Sequence, residues 1–157
     1  MRSTLLLIML WASFVCHAQS YKLFTTDEDL SSSLINHIYQ DSNGMIWVAT
    51  EDGLNRYDGA KFTTYKHNPE DAHSLSHNYV RRIFEDSKGH IYIGTHNGVQ
   101  VYNPATDTFS EKAILENDRP YNQSITDIIE RNNGEVWVAG YRTGKIEIDG
   151  DKLRLTY

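Results

Sequence analysis

A glycine returns at Gly44, Gly89 and Gly134, a constant step of 45 residues, and each time it brings its neighbours with it. The stretch Asp41-Ser-Asn-Gly44-Met-Ile-Trp47-Val-Ala-Thr50-Glu-Asp-Gly53-Leu-Asn-Arg-Tyr57-Asp58 recurs as Asp86-Ser-Lys-Gly89-His-Ile-Tyr92-Ile-Gly-Thr95-His-Asn-Gly98-Val-Gln-Val-Tyr102-Asn103. A third copy opens at Arg131-Asn-Asn-Gly134-Glu-Val-Trp137-Val-Ala-Gly140. A repeat of roughly 20 to 50 residues restricts the chain to a solenoid, a propeller or an array, because one unit cannot bury its own apolar face.

The interior of each copy decides among these. Ile46 to Ala49, Ile91 to Gly94 and Val136 to Ala139 are short apolar runs of β-branched and aromatic residues. Bounded by Gly and Asn, such runs read as strands covered on both faces. A second candidate strand precedes each of them, at Ile35 to Gln40, Val80 to Glu85 and Ile125 to Glu130. Asn43-Gly44 and Asn133-Gly134, with Lys88-Gly89 as a weaker variant, predict tight hairpins between the pair. Third strands follow at Leu54 to Tyr57, Val99 to Tyr102 and Ile146 to Ile148. Fourth strands are expected at Phe62 to Tyr65, near Thr108 to Lys112, and at Leu153 to Tyr157. Four short strands per repeat make a propeller blade, whereas helical repeats need apolar spacing of three and four without such frequent turns. The expectation is an all-β fold of three four-stranded antiparallel blades, near residues 31–75, 76–120 and 121–157. A closed ring needs at least about four blades, so this is an incomplete propeller and reads as part of a longer protein.

The start of the chain reads differently. Met1-Arg2-Ser3 is basic, Leu5 to Val15 is apolar apart from Ser13, and Ala18 precedes Gln19. This predicts a signal peptide over residues 1–18 and an exported, periplasmic protein. Cys16 is the one cysteine, so the mature chain would hold together without disulfides. The net charge of −6, with acids and bases interspersed, gives no basic stripe for nucleic acid.

At Gly-x-Ile-Trp-Val-Ala-Thr-Glu-Asp-Gly-Leu-Asn-Arg-Tyr-Asp, residues 44–58, the sequence resembles the two-component regulator propeller repeat. The turn, the aromatic strand, the Thr-x-x-Gly turn and the Tyr-Asp step recur in order over roughly residues 21–157. Tyr21 to Thr25 would be the stray outer strand of such a protein, and Asp29-Leu30-Ser31 stands where the family has Gly-Leu-Ser. The resemblance implies the N-terminal sensory region of a hybrid histidine kinase, responding to carbohydrate, without catalysis of its own. It also implies partners: an oligosaccharide ligand, further blades, and a kinase portion that dimerises in the full-length protein. A secreted scaffold binding a protein partner, or a propeller polysaccharide lyase or glycosidase, are the alternatives.

Little in the repeats looks like chemistry. Trp47, Tyr92 and Trp137 could stack on sugars, but their place in the central strand predicts packing between blades. Asp41 and Asp86 sit beside turns, where Asp bonds its own backbone. His67, His73 and His77 have no zinc-ligand spacing, and neither a calcium loop nor a Gly-x-Ser-x-Gly elbow occurs. No catalytic residue, metal ligand or cofactor is predicted.

The turn between the second and third strands, and the loop between blades, should open on one face of a propeller. That face is expected to carry Glu51, Asp52, His96, Asn97, Tyr141 and Arg142, with His73. The third copy has one extra residue in this turn, which sets Tyr141 beside Arg142. An aromatic next to a five-donor guanidinium suits a hydroxyl-rich or acidic sugar.

Overall fold

The computed structural model describes residues 22–27, 29–111, 113–115, 119–150 and 152–157. The expected leader, residues 1–18, and Tyr21 of the expected outer strand lie outside them. The first sheet is β1 (Ile35–Gln40), β2 (Ile46–Thr50), β3 (Gly53–Tyr57) and β4 (Phe62–Tyr65). The second is β5 (Val80–Glu85), β6 (Ile91–Thr95), β7 (Gly98–Asn103) and β8 (Thr108–Phe109). A short β9 (Ile114–Leu115) precedes β10 (Ile125–Glu130), β11 (Val136–Gly140), β12 (Gly144–Asp149) and β13 (Lys152–Thr156). These last four form the third sheet, with β9 added in parallel beside β13. Within each sheet sequential strands pair antiparallel, the arrangement of a propeller blade.

The register of the first two strands repeats in all three sheets, whereas the next pair shifts in the third, where Val136 faces Ile146 although Ile46 faces Tyr57 and Ile91 faces Tyr102. Each inner strand slips against its partner at one place, between Ile35 and His37, Val80 and Arg82, and Ile125 and Asp127. A bulge of this kind re-aims a side chain. Asn36 thereby donates to the Val80 carbonyl of the next sheet at 2.7 Å, and Arg81 donates to Ser124 Oγ at 3.2 Å.

The hairpin turns differ from the tight form expected. A two-residue turn of the favoured hand requires positive φ at both central residues. Here Gly44, Gly89 and Gly134 alone adopt it, at 85°, 84° and 81°, while Asn43, Lys88 and Asn133 do not. The longer loop is held by a carboxylate. Asp41 Oδ1 accepts from the amides of Asn43 (3.0 Å) and Met45 (2.9 Å), and its Oδ2 accepts from Trp47 Nε1 at 2.8 Å. Asp86 does the same for Lys88 and His90 and accepts from the Tyr92 hydroxyl at 3.1 Å. The third copy has Arg131 there, and Glu135 takes over by accepting from Trp137 Nε1 at 3.4 Å.

Neighbouring blades pack with the same partners. Trp47, Ala49 and Leu54 of the first sheet meet Val80, Ile83 and Ile93 of the second. One repeat later, Tyr92 and Val99 meet Ile125, Ile128 and Val138. Along β6, Ile91 and Ile93 face the preceding blade and Tyr92 the following one, which explains the unbroken apolar run. A second link lies at the turns. Glu85 accepts from the amide and hydroxyl of Ser42 at 2.7 and 2.5 Å, and Glu130 repeats this with Ser87 at 2.8 and 2.6 Å.

Three expectations need correction. Residues 22–25 form no strand; Phe24 instead packs against Tyr57 and Phe62, with ring centroids 5.0 and 5.1 Å away. The fourth strand of the second blade stops at Phe109, because Ser110 Oγ accepts from the Val101 amide and interrupts the ladder. Trp137 is only half-buried, whereas Trp47 is fully enclosed. Trp47 meets Tyr102 of the next blade at 4.9 Å, and no described residue offers Trp137 the same partner.

Candidate ligand-binding face

The Thr-x-x-Gly turns are built to hold their shape. Thr50 Oγ1 donates to the Gly53 carbonyl (2.9 Å) and accepts from the Asp52 amide (3.2 Å); Thr95 repeats this with Gly98 and Asn97. Gly98 has φ 91°, and a Cβ there would stand 2.5 Å from the Tyr121 carbonyl oxygen. Backbone of the incoming inter-blade loop therefore lies directly on the turn. This is the close approach for which glycine is required.

On this frame the structure gathers part of the expected set. Glu51 Oε1 accepts from the Tyr79 hydroxyl at 3.1 Å. The His96 ring lies 5.9 Å from the Tyr79 ring and 5.5 Å from that of His77, whose Nδ1 accepts from the Tyr79 amide at 2.9 Å. The Arg81 guanidinium sits over the Tyr79 ring at 5.5 Å. The result is an aromatic platform with a carboxylate, imidazoles and a cation around its edge, suited to a ligand with one apolar face and many hydroxyls.

Other expected residues are placed elsewhere or already engaged. Asn97 is already engaged: its amide donates to Thr95 Oγ1 at 3.0 Å and its Nδ2 to the Ser76 carbonyl of the inter-blade loop at 3.4 Å. Asp52 accepts from Asn78 Nδ2 at 3.0 Å and pairs with Lys66. Arg142 stands over the Tyr157 ring at 5.6 Å, and Tyr141 is 82% exposed, so the extra residue of the third copy opens a separate patch. His73 does not join this face: its Nδ1 contacts the Phe109 carbonyl at 3.1 Å, at the outer strands. Tyr79, Arg81 and His77, the centre of the observed cluster, were missed from sequence. The signal was the bulge before Arg82, which turns Arg81 towards this face, and it becomes visible only in the strand register.

The inner strands frame a shallow concavity of about 720 Å³ lined by Tyr39, Arg82, Glu85, Ile129 and Glu130 among others. Its charged groups are committed. Arg82 pairs with Asp127 at 2.9 Å, and both glutamates hold serine turns. His37, beside this pair, is held below the usual imidazole range by burial and by the Arg82 charge. Among the described residues no group of three or more His, Cys, Asp or Glu is placed to hold a metal ion.

Comparison with known proteins agrees with this architecture. Residues 29–52 and 74–97 match the family described as two component regulator propeller. A stretch of 56 residues is 48% identical to histidine kinase P4 of Formosa agariphila, covering 36% of this chain and 4% of that protein. The fold superposes with a TM-score of 0.68 and 28% identity on an extracellular domain from B. thetaiotaomicron, named as that of a hybrid two component system. That match covers 82% of this chain and 19% of the domain. Virginiamycin B lyase from Staphylococcus aureus shares the fold with a TM-score of 0.58 at 20% identity, over 85% of this chain and 43% of the lyase. The chain thus spans a small part of the sensor proteins it matches.

Proposed function

We propose that this chain, which is built of two component regulator propeller repeats, forms part of the periplasmic sensory region of a hybrid histidine kinase and captures a carbohydrate without catalysis. The observation that carries the proposal is the Tyr79 platform, with Arg81 above the ring and Glu51 on its hydroxyl, on the loop face of a blade shared with extracellular sensor domains. Sugar rings offer an apolar C–H face to an aromatic and hydroxyls to the charged rim. Tyr141 and Arg142 on the neighbouring blade would extend the contact to a longer oligosaccharide. The carboxylates near the blade axis are bound into turns and ion pairs, which favours recognition over acid–base chemistry. In the full-length kinase, ligand capture here would bias the arrangement of the dimer.

Calorimetric titration of the chain with neutral and acidic oligosaccharides tests this reading. Tyr79→Ala should weaken binding about tenfold or more, the value of roughly 1.4 kcal/mol lost with a stacking face. Arg142→Ala should weaken only the longer ligands. Equal affinity of wild type and Tyr79→Ala for every sugar that binds would remove the platform from the site.

A further inference from the structure

Asparagine precedes glycine three times in this chain, at Asn43-Gly44, Asn97-Gly98 and Asn133-Gly134. The dipeptide can react with itself, because glycine has no side chain to shield its amide nitrogen from the neighbouring carboxamide. Sequence makes the three places alike. The structure does not.

Asn97 is walled in. Its amide and Nδ2 are bonded to Thr95 Oγ1 and the Ser76 carbonyl, and Gly98 is buried, with the Tyr121 carbonyl oxygen 2.5 Å from where a Cβ would stand. Asn43 and Asn133 are both exposed, in equivalent turns between the first and second strands of their sheets. They differ in what holds the turn. Asp41 Oδ1 takes the Met45 amide at 2.9 Å, and Asp86 Oδ1 takes the His90 amide at 2.8 Å. Arg131 stands at this place in the third copy, and its side chain cannot accept. The equivalent amide, that of Glu135, donates instead to Asn133 Oδ1 at 3.2 Å. A bond from an asparagine side chain to the amide two residues on folds the carboxamide back along its own main chain, here over the Gly134 nitrogen. The Asn133 carboxamide also bonds the Glu135 carboxylate and holds that group below its usual range. Both ends of the carboxamide are thus oriented by one residue. The Gly134 amide is bonded to the Arg131 carbonyl at 2.8 Å, but Gly44 and Gly98 carry bonds of the same kind at 2.9 Å, so this does not separate the three.

We infer that Asn133-Gly134 is a site of spontaneous deamidation, selected by the turn of the third blade. It is independent of the carbohydrate reading of the loop face. The Gly134 nitrogen bonds to Asn133 Cγ and gives its proton to solvent. The Glu135 amide donates to the oxygen on which negative charge then develops, as a fixed donor does in acyl transfer. The Cγ–Nδ2 bond breaks, Nδ2 takes a proton from solvent and leaves as ammonia, and a cyclic imide remains. Water opens that ring at either carbonyl, giving aspartate or isoaspartate, and no electrons are exchanged. Either product places a new carboxylate beside Glu135, and isoaspartate also lengthens the main chain of the turn by a methylene.

The full chain, held in mildly alkaline buffer at body temperature, would be digested at intervals and its peptides followed by mass spectrometry for the gain of about 1 Da that replaces NH2 by OH. Asn133 should convert first, about fivefold or more faster than Asn43, with Asn97 slowest. In urea the turn no longer orients the carboxamide, and the advantage of Asn133 over Asn43 should shrink below about twofold. Arg131→Asp combined with Glu135→Met rebuilds the turn of the first copy and should slow Asn133 to about the Asn43 rate. Asn43 converting as fast as Asn133 in the native chain would overturn the inference, as would a native advantage that persists unchanged in urea. So would a rate at Asn133 that the double variant leaves unaltered.

Discussion

Trp47 and Trp137 occupy one position of the repeat and belong to the same kind of strand, yet one is sealed and the other half-open. Ile38 and Ile83 form the mirror case, at 59% and 1% exposure. The residue does not determine its own burial in such a fold; the neighbouring blade does. Ile83 is covered by the first sheet and Trp47 by the second, whereas Ile38 and Trp137 look outward among the described residues. The outward faces are also unlike each other. Around Ile38, Leu34 and Ile35 are exposed as well, an apolar surface. Opposite Trp137, where Trp47 has Arg56, stands Lys145, which pairs with Glu147 at 2.9 Å. The third sheet thus carries a charged outer face where the first two carry an interface.

The largest expected effect is the contrast in truncation cost. Trp47→Ala should destabilise the chain by about 3–5 kcal/mol, the cost of emptying an aromatic core site. Trp137→Ala, at a partly exposed position, should cost less, about 1–2 kcal/mol. Urea denaturation of the two variants measures the difference, and equal losses would break the comparison.

A second contrast separates two glycines with the same backbone hand. Gly98→Ala meets the Tyr121 carbonyl and must displace an inter-blade loop; Gly134→Ala meets only the end of the Glu130 side chain, at an ordinary contact distance of 3.9 Å. The first should cost several kcal/mol, while the second should cost only the backbone term, about 1–2 kcal/mol. Thermal melts of the pair decide this, and equal shifts would show that the loop yields freely.

Titration sharpens the comparison of the two interfaces. Burial, followed by the Asp107 hydrogen bond, raises Tyr65 above the usual phenol range; burial, followed by the Asp86 charge, raises Tyr92. A raised folded value means that stability is complete below about pH 10, the ordinary tyrosine pKa, and is lost as pH rises towards the folded values. Asp86 and Asp107 run the other way. Burial pushes each up, but hydrogen bonds outweigh it: His90 and Tyr92 act on Asp86, and Tyr102, Tyr65 and Arg56 on Asp107. Both carboxyls are held below the usual range, so their contribution is present at neutral pH and is lost as pH falls below about 4. Denaturation midpoints across pH should fall at both ends, and Tyr65→Phe should blunt the alkaline loss. An unchanged alkaline limb in that variant would remove Tyr65 from the account.

The smallest expected effect lies at the serine turns. Glu130→Gln should cost about 1 kcal/mol or less, because the Ser87 link is exposed to solvent. A double-mutant cycle with Ser87→Ala checks that the loss belongs to the pair.

Much of this was legible in the chain. The period of 45, the apolar runs and the Gly-centred turns placed the inner and central strands, since backbone hydrogen bonding and alternation are local demands. The edges were less legible. Ser110 ends β8 by bonding backbone that the ladder would use, a choice no apolar pattern reveals. The site was half legible: Glu51 and His96 were placed by the turn, but Tyr79 and Arg81 meet them only through a bulge and an inter-blade loop. The fate of Trp137 was hidden for a further reason, because pattern reports what a position suits and not which neighbour stands beside it.

Fluorescence quenching tests most directly the claim that neighbours set burial. With Trp11 replaced by phenylalanine, single-tryptophan chains retaining either Trp47 or Trp137 would be titrated with acrylamide. The account predicts blue-shifted, shielded emission from Trp47 and red-shifted, readily quenched emission from Trp137. Equal shielding of the two, or the reverse order, would contradict it.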